Sequence, residues 1–150
     1  MKLKVNDLIP EANIYILKDG EPKEQSIKET LGNSKILLFG LPGAYTSTCS
    51  KLHLPGYVKN ADKIKAKGID KIFCISVNDP HVMNAWGEAN NVGNNIKMLA
   101  DPYLLFTKSI GAEIDRNSKG MGIRSSRYAM IIENLKVQNI QEEEETKSCG

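Results

Sequence analysis

Two continuous apolar runs, Ile36-Leu37-Leu38-Phe39-Gly40-Leu41 and Ile72-Phe73-Cys74-Ile75-Ser76-Val77, do most to restrict the folds open to this chain. Neither alternates apolar with polar residues along its length, so each reads as a buried strand. Each is followed by a turn and then a helix. After the first, the segment Leu41 to Ser50 is polar and turn-forming, and Lys51 to Ala66 reads as a helix. After the second, Asp79 caps a helix whose first position is Pro80, with Val82, Met83, Ala85, Trp86 and Ala89 at helical spacing before it fades near Asn90 and Asn91. A short strand at Lys97 to Ala100 leads to a second cap-and-proline pair, Asp101-Pro102, which opens a helix through Ile110. Strands at Arg127 to Glu133 and Lys136 to Ile140, turning at Asn134-Leu135, and one near Ala12 to Leu17 complete the set. The alternation predicts a layered α/β domain with helices on both sheet faces. Pattern alone leaves thioredoxin-like and flavodoxin-like arrangements both open.

A chain of 150 residues suits one domain, 1–150, with the acidic segment 141–150 as a solvated tail. The net charge of +2 is too small to point to nucleic acid. Lys59, Lys63, Lys65 and Lys67 cluster without interleaved aromatics and with Asp62 among them, as on a solvated helix end. No apolar stretch approaches the roughly 20 residues that span a bilayer. Met1 to Asp7 has no apolar signal core. The expectation is a cytoplasmic protein that binds neither nucleic acid nor membrane.

Three cysteines, Cys49, Cys74 and Cys149, are too few and too scattered for a disulfide framework. With His53 and His81 as the only histidines they lack the paired spacing of a zinc site, so no metal is expected. No glycine-rich phosphate loop appears, and no cofactor is expected. The absence of a Cys-x-x-Cys pair argues against a disulfide oxidoreductase. What remains is nucleophilic or redox use of one cysteine. Cys49 is best placed, because a thiol in the first turn of a helix meets free backbone N–H groups and the positive end of the macrodipole, which favour thiolate. Thr46, three residues upstream, offers a hydroxyl to whatever approaches the sulfur. His53, four residues downstream, invites a cysteine-hydrolase alternative, but that chemistry needs a third group to orient the ring and none is specified. Cys74, mid-strand in an apolar run, reads as inert core. Cys149 lies in the polar tail.

The order Pro42, Thr46, Cys49 forms Pro-x-x-x-Thr-x-x-Cys, and the longer string Pro42-Gly43-Ala44-Tyr45-Thr46 through Cys49-Ser50-Lys51 and His53-Leu54-Pro55-Gly56-Tyr57 resembles the peroxiredoxins of the type II, peroxiredoxin-5-like branch. The resemblance continues through Ser76-Val77-Asn78-Asp79, Trp86, Leu99-Ala100-Asp101-Pro102 and Arg127-Tyr128-Ala129-Met130, covering about Lys4 to Glu142. Ser47 departs from it, standing where many relatives carry proline. The resemblance implies a thioredoxin-like fold with a central mixed sheet, and a thiol peroxidase that reduces hydrogen peroxide and organic hydroperoxides through Cys49. Arg127 would supply a fixed guanidinium, Thr46 would orient the peroxide, and Pro42 would shield the sulfur. Gly43 would let the backbone pass close to substrate, and His53 would form pocket wall. Cys149 sits near the place where some relatives carry a resolving cysteine; others leave the sulfenic acid to glutathione, glutaredoxin or thioredoxin. A compact homodimer is also implied. The alternative is a non-catalytic thioredoxin-fold redox sensor or chaperone.

Overall fold

The computed structural model describes residues 1–143, the side chains of residues 47–53 excepted. The first half of the chain runs β1 (Asn13–Lys18), β2 (Glu21–Ser26), α1 (Ile27–Leu31), β3 (Lys35–Leu41), α2 (Ser47–Ala66) and β4 (Lys71–Ser76). The second half runs α3 (Pro80–Ala89), β5 (Lys97–Ala100), α4 (Leu105–Ser109), β6 (Glu113–Arg116), β7 (Gly122–Ser125), β8 (Tyr128–Glu133) and β9 (Lys136–Glu142). Seven strands form one sheet in the order β2-β1-β5-β4-β3-β8-β9, and β6 with β7 makes a separate two-stranded ribbon. β3, β4 and β5 are parallel, while β1 and β8 flank them antiparallel. Antiparallel strands on both sides of the parallel centre remove the flavodoxin-like arrangement, whose sheet is mostly parallel.

The apolar run of β3 is continuous because both of its faces are covered. Ile36 and Leu38 enter one core with Ile27 and Leu31 of α1 and Phe106 of α4. Leu37, Phe39 and Leu41 enter the other with Leu54 and Ala61 of α2 and Met83 and Trp86 of α3. Side chains alternate across a strand, so a strand between two helical layers has no wet side to spend on polar residues.

Elements absent from the sequence reading are short or exposed. The central residues of β2, Glu21-Pro22-Lys23-Glu24, are all exposed on the outermost strand, so no apolar period marks it. The five-residue α1 does carry a signal, Ser26-x-x-Glu29: the Ser26 hydroxyl accepts from the Glu29 N–H at 3.2 Å. α4 begins at Leu105 rather than at Pro102. Asp101 still caps it, across a longer turn: its buried carboxylate accepts from the N–H groups of Phe106 (3.3 Å) and Thr107 (2.8 Å) and from the Thr107 hydroxyl (2.6 Å).

The acidic segment does not begin as a tail at residue 141. Gln141 and Glu142 pair with Ala129 and Tyr128 as the end of β9, and the Glu142 carboxylate accepts from the Ser126 hydroxyl at 2.6 Å. Ladder pairing and a side-chain partner for the carboxylate outweigh the solvation of a charge run there. Residues 144–150 lie outside the described residues.

Gly40, inside β3, faces the ring of Tyr128: a Cβ at Gly40 would lie 2.4 Å from Tyr128 Cε2. Gly40→Ala is expected to force the buried ring aside and cost about 1–3 kcal/mol, read as a lowered midpoint in denaturant unfolding.

Candidate active site

The chain leaves β3 at Leu41 and crosses to α2 through residues 42–46, and this loop is tied down at successive residues. The carbonyl of Pro42 accepts from Arg124 Nη1 at 3.2 Å. The carbonyl of Gly43 accepts from the Thr46 hydroxyl at 2.6 Å. The N–H of Ala44 donates to Asn78 Oδ1 at 2.9 Å, and the same oxygen accepts from the Ser76 hydroxyl at 2.9 Å. Tyr45 takes φ +62°, a left-handed conformation costly for a side chain of that size, with its ring 56% exposed and tilted over Trp86 at 6.3 Å. Three elements therefore hold the loop: the end of β4, the start of α2 and β7.

Thr46 is the N-cap of α2, yet its hydroxyl does not cap. With its proton committed to the Gly43 carbonyl, the oxygen keeps its lone pairs as its remaining hydrogen-bonding capacity. Cys49 is the third helical residue, one turn into a 20-residue helix with no acidic residue in its first turn. That position faces the helix end where N–H groups lack intrahelical partners. The side chains of Cys49 and His53 lie outside the described residues, as does Cys149.

Arg127 reaches the same end of the sheet by strand register. Tyr128 pairs with Gly40, which sets Arg127 beside the last residue of β3. Its guanidinium is 2% exposed, and Nη1 donates to Glu143 Oε2 at 2.8 Å. The Glu143 N–H in turn donates to the Arg127 carbonyl at 2.9 Å. A buried cation needs such a partner, and this one comes from the acidic run that the sequence assigns to solvent.

Gly43 has a different neighbour from the one the sequence predicts. A Cβ there would lie 2.4 Å from Arg124 Nη1 and 3.0 Å from Thr46 Cγ2, so what the glycine admits is the Arg124 guanidinium. Arg124 and Asn78 are the residues that sequence reasoning misses. Asn78 lies in one of the strings that carry the family resemblance, but nothing in the sequence connects it to Ala44. Among the described residues no group of three or more histidine, cysteine or carboxylate side chains is placed to hold a metal ion. Among them also, no helix is long and apolar enough to cross a membrane.

Comparison with known proteins decides the family. The Redoxin family model matches residues 4–148. Peroxiredoxin-2C of Oryza sativa subsp. japonica is 44% identical over 142 residues, 92% of this chain and 87% of its own. Reduced Prx3 of Vibrio vulnificus, solved in complex with hydrogen peroxide, superimposes with a TM-score of 0.89 at 44% identity, over 94% of this chain and 88% of its own. Peroxiredoxin 5 of Alvinella pompejana does so with a TM-score of 0.85 at 35% identity, over 98% and 95%. The chain belongs to the type II peroxiredoxins.

The mixed sheet with helices on both faces is therefore the thioredoxin-like fold of that family, and the protein is a thiol peroxidase. Its Cys74 is a free, fully buried thiol on β4, in the core covered by α2, and burial raises its pKa far above the usual thiol range. The folded peroxiredoxin holds that proton while the unfolded chain releases it above about pH 8.5, so this group's contribution to stability is complete below that pH and declines above it. In a Cys49→Ser/Cys149→Ser variant, a thiol-specific chromogenic reagent at pH 8 is expected to find no reactive thiol in the native protein and one after unfolding.

Proposed function

We propose that Cys49 is the peroxidatic thiol of this enzyme and that hydrogen peroxide and organic hydroperoxides are its substrates. The observation that carries this reading is the convergence at one end of the sheet: the third residue of α2 is Cys49, directly after a loop holding Thr46, beside the buried Arg127. The thiolate attacks one peroxide oxygen in line with the O–O bond. A sulfur–oxygen bond forms, the O–O bond breaks, and the leaving oxygen takes a proton to depart as water or an alcohol, with Cys49 oxidised to the sulfenic acid. Thr46, its own proton on the Gly43 carbonyl, accepts from the O–H of the hydroperoxide and orients it. Arg127 favours the thiolate and meets the charge that develops on the leaving oxygen, staying protonated at every working pH. Pro42 is buried at the head of the loop, where its locked φ fixes the turn and its ring shields the sulfur from water. His53, one turn beyond Cys49, forms pocket wall. The hydrogen peroxide bound to the Vibrio vulnificus relative supports the substrate class.

Completion of the cycle requires a second thiol. Cys149 within the chain, or glutathione with glutaredoxin, or thioredoxin, would take the oxygen of the sulfenic acid as water and leave a disulfide that is reduced in turn. A reducing compartment such as the cytoplasm suits this cycle. A homodimer is supported by exposed Tyr45, Tyr103 and Leu105, large hydrophobics that follow the C-terminal ends of parallel strands β3 and β5 and so sit toward one end of the sheet.

The first test is intact mass and peptide mapping after one equivalent of organic hydroperoxide, with a sulfenic-acid trap present and no reductant. Modification at Cys49 is expected, as a trapped sulfenic acid or as a Cys49–Cys149 disulfide. An unmodified Cys49 would remove the assignment. In turnover assays Cys49→Ser is expected to be inactive and Cys74→Ser to keep most activity. Arg127→Ala is expected to raise the Cys49 pKa and slow the peroxide step about 10²-fold or more, the loss that follows removal of one preorganised donor. Thr46→Val is expected to slow the step with the fold intact; full activity would reduce Thr46 to a turn residue.

A further inference from the structure

We propose that Arg124 is a positioning residue for the peroxidatic loop, seating its guanidinium against Gly43 and holding the Pro42 carbonyl in place. The inference rests on the assignment of Cys49 as the peroxidatic thiol and adds a residue that assignment does not contain.

The guanidinium uses two donors on two backbone carbonyls. Nε donates to Met121 O at 2.9 Å, three residues back in its own ribbon, and Nη1 donates to Pro42 O at 3.2 Å, across 82 residues of sequence. A planar fork with fixed donor angles can span two carbonyls in this way, whereas an ammonium on a flexible stem offers a single point. Burial draws the Arg124 pKa below its ordinary value, and the side chain is half-buried rather than swung into solvent, but an arginine so placed still carries its charge.

Gly43 completes the seat. Any other residue would place a Cβ at 2.4 Å from Nη1, a separation real atoms do not tolerate, and the yielding group would be the far end of the arginine. The effect passes to the chemistry through adjacent peptides. Pro42 and Gly43 contribute successive carbonyls, the first held by Arg124 and the second receiving the Thr46 hydroxyl. A shift of the first peptide turns the second, and with it Thr46 and the opening of α2 that carries Cys49. Asn78 holds the next peptide from the other side through the Ala44 N–H, so the loop is gripped by β7 and by the end of β4. Arg124 meets loop backbone and acts through Thr46 and Cys49.

The test is a cycle on the pair Gly43 and Arg124, measuring the second-order rate of Cys49 oxidation by hydrogen peroxide, the Cys49 thiolate titration, and the thermal midpoint of each variant. Arg124→Ala is expected to slow oxidation about 10- to 100-fold and to raise the Cys49 pKa, a readout that a merely loosened scaffold would not move. Arg124→Lys should not restore the rate. Gly43→Ala should reproduce the same loss by evicting the guanidinium, and the double variant Gly43→Ala/Arg124→Ala should be no slower than the slower single one. A double variant slowed by the product of the two single losses would show that the residues act separately and would overturn the proposal. So would a wild-type rate and titration in Arg124→Lys or Gly43→Ala, which keeps the test decisive if Arg124→Ala fails to fold. Cys49→Ser runs alongside: if it retains turnover, the assignment of Cys49 fails, whatever Arg124 does.

Discussion

Everything at the candidate site is referred to the hydrogen-bond ladders on the two edges of β3. One edge pairs with β4, so that Leu41 meets Ser76 and the chain beyond brings Asn78 to the loop. The other edge pairs with β8, so that Gly40 meets Tyr128 and the residue before it is Arg127. Because alternate side chains of β3 are buried in two different cores, a one-residue slip would exchange those cores as well as misplace the site. Packing therefore fixes register, and register fixes which groups surround the thiol.

Charge is arranged on that frame with little freedom. The opening of a 20-residue helix supplies a positive end with no carboxylate in its first turn. Arg127 adds a fixed cation, at 2% exposure, that could not be left in the interior without the carboxylate of Glu143 beside it. Glu143 is itself 43% exposed, so water screens the carboxylate more than the arginine, and the positive field toward the loop is not simply cancelled.

The strands and helices were legible where burial writes a period into the sequence. β3 and β4 announce themselves as apolar runs, and Asp79 caps α3 through the Val82 N–H as its position before Pro80 implies. β2 left no trace because all but its last residues are exposed, and α4 starts late because Asp101 reaches over a longer turn. Thr46 and Cys49 were legible as a pattern near a helix start, and Arg127 as part of a family string. Arg124 and Asn78 were not, since a bond from a guanidinium to a carbonyl 82 residues away, or from an amide N–H to an oxygen 34 residues away, has no local sequence correlate. Glu142 and Glu143 were hidden in plain sight: four consecutive glutamates look like solvated charge until strand pairing carries the first two to Ser126 and Arg127.

The outermost strand settles where a second copy of the chain can attach. Pro22 of β2 has no N–H to offer a neighbouring strand, and Glu21, Lys23 and Glu24 around it would have to shed water before any backbone could approach. That rim of the sheet is closed to growth, and copies crowded together cannot extend it into a continuous ribbon there. Attachment is left to side-chain surface elsewhere, so a molecule abundant enough to meet oxidant wherever it arises can stay dispersed.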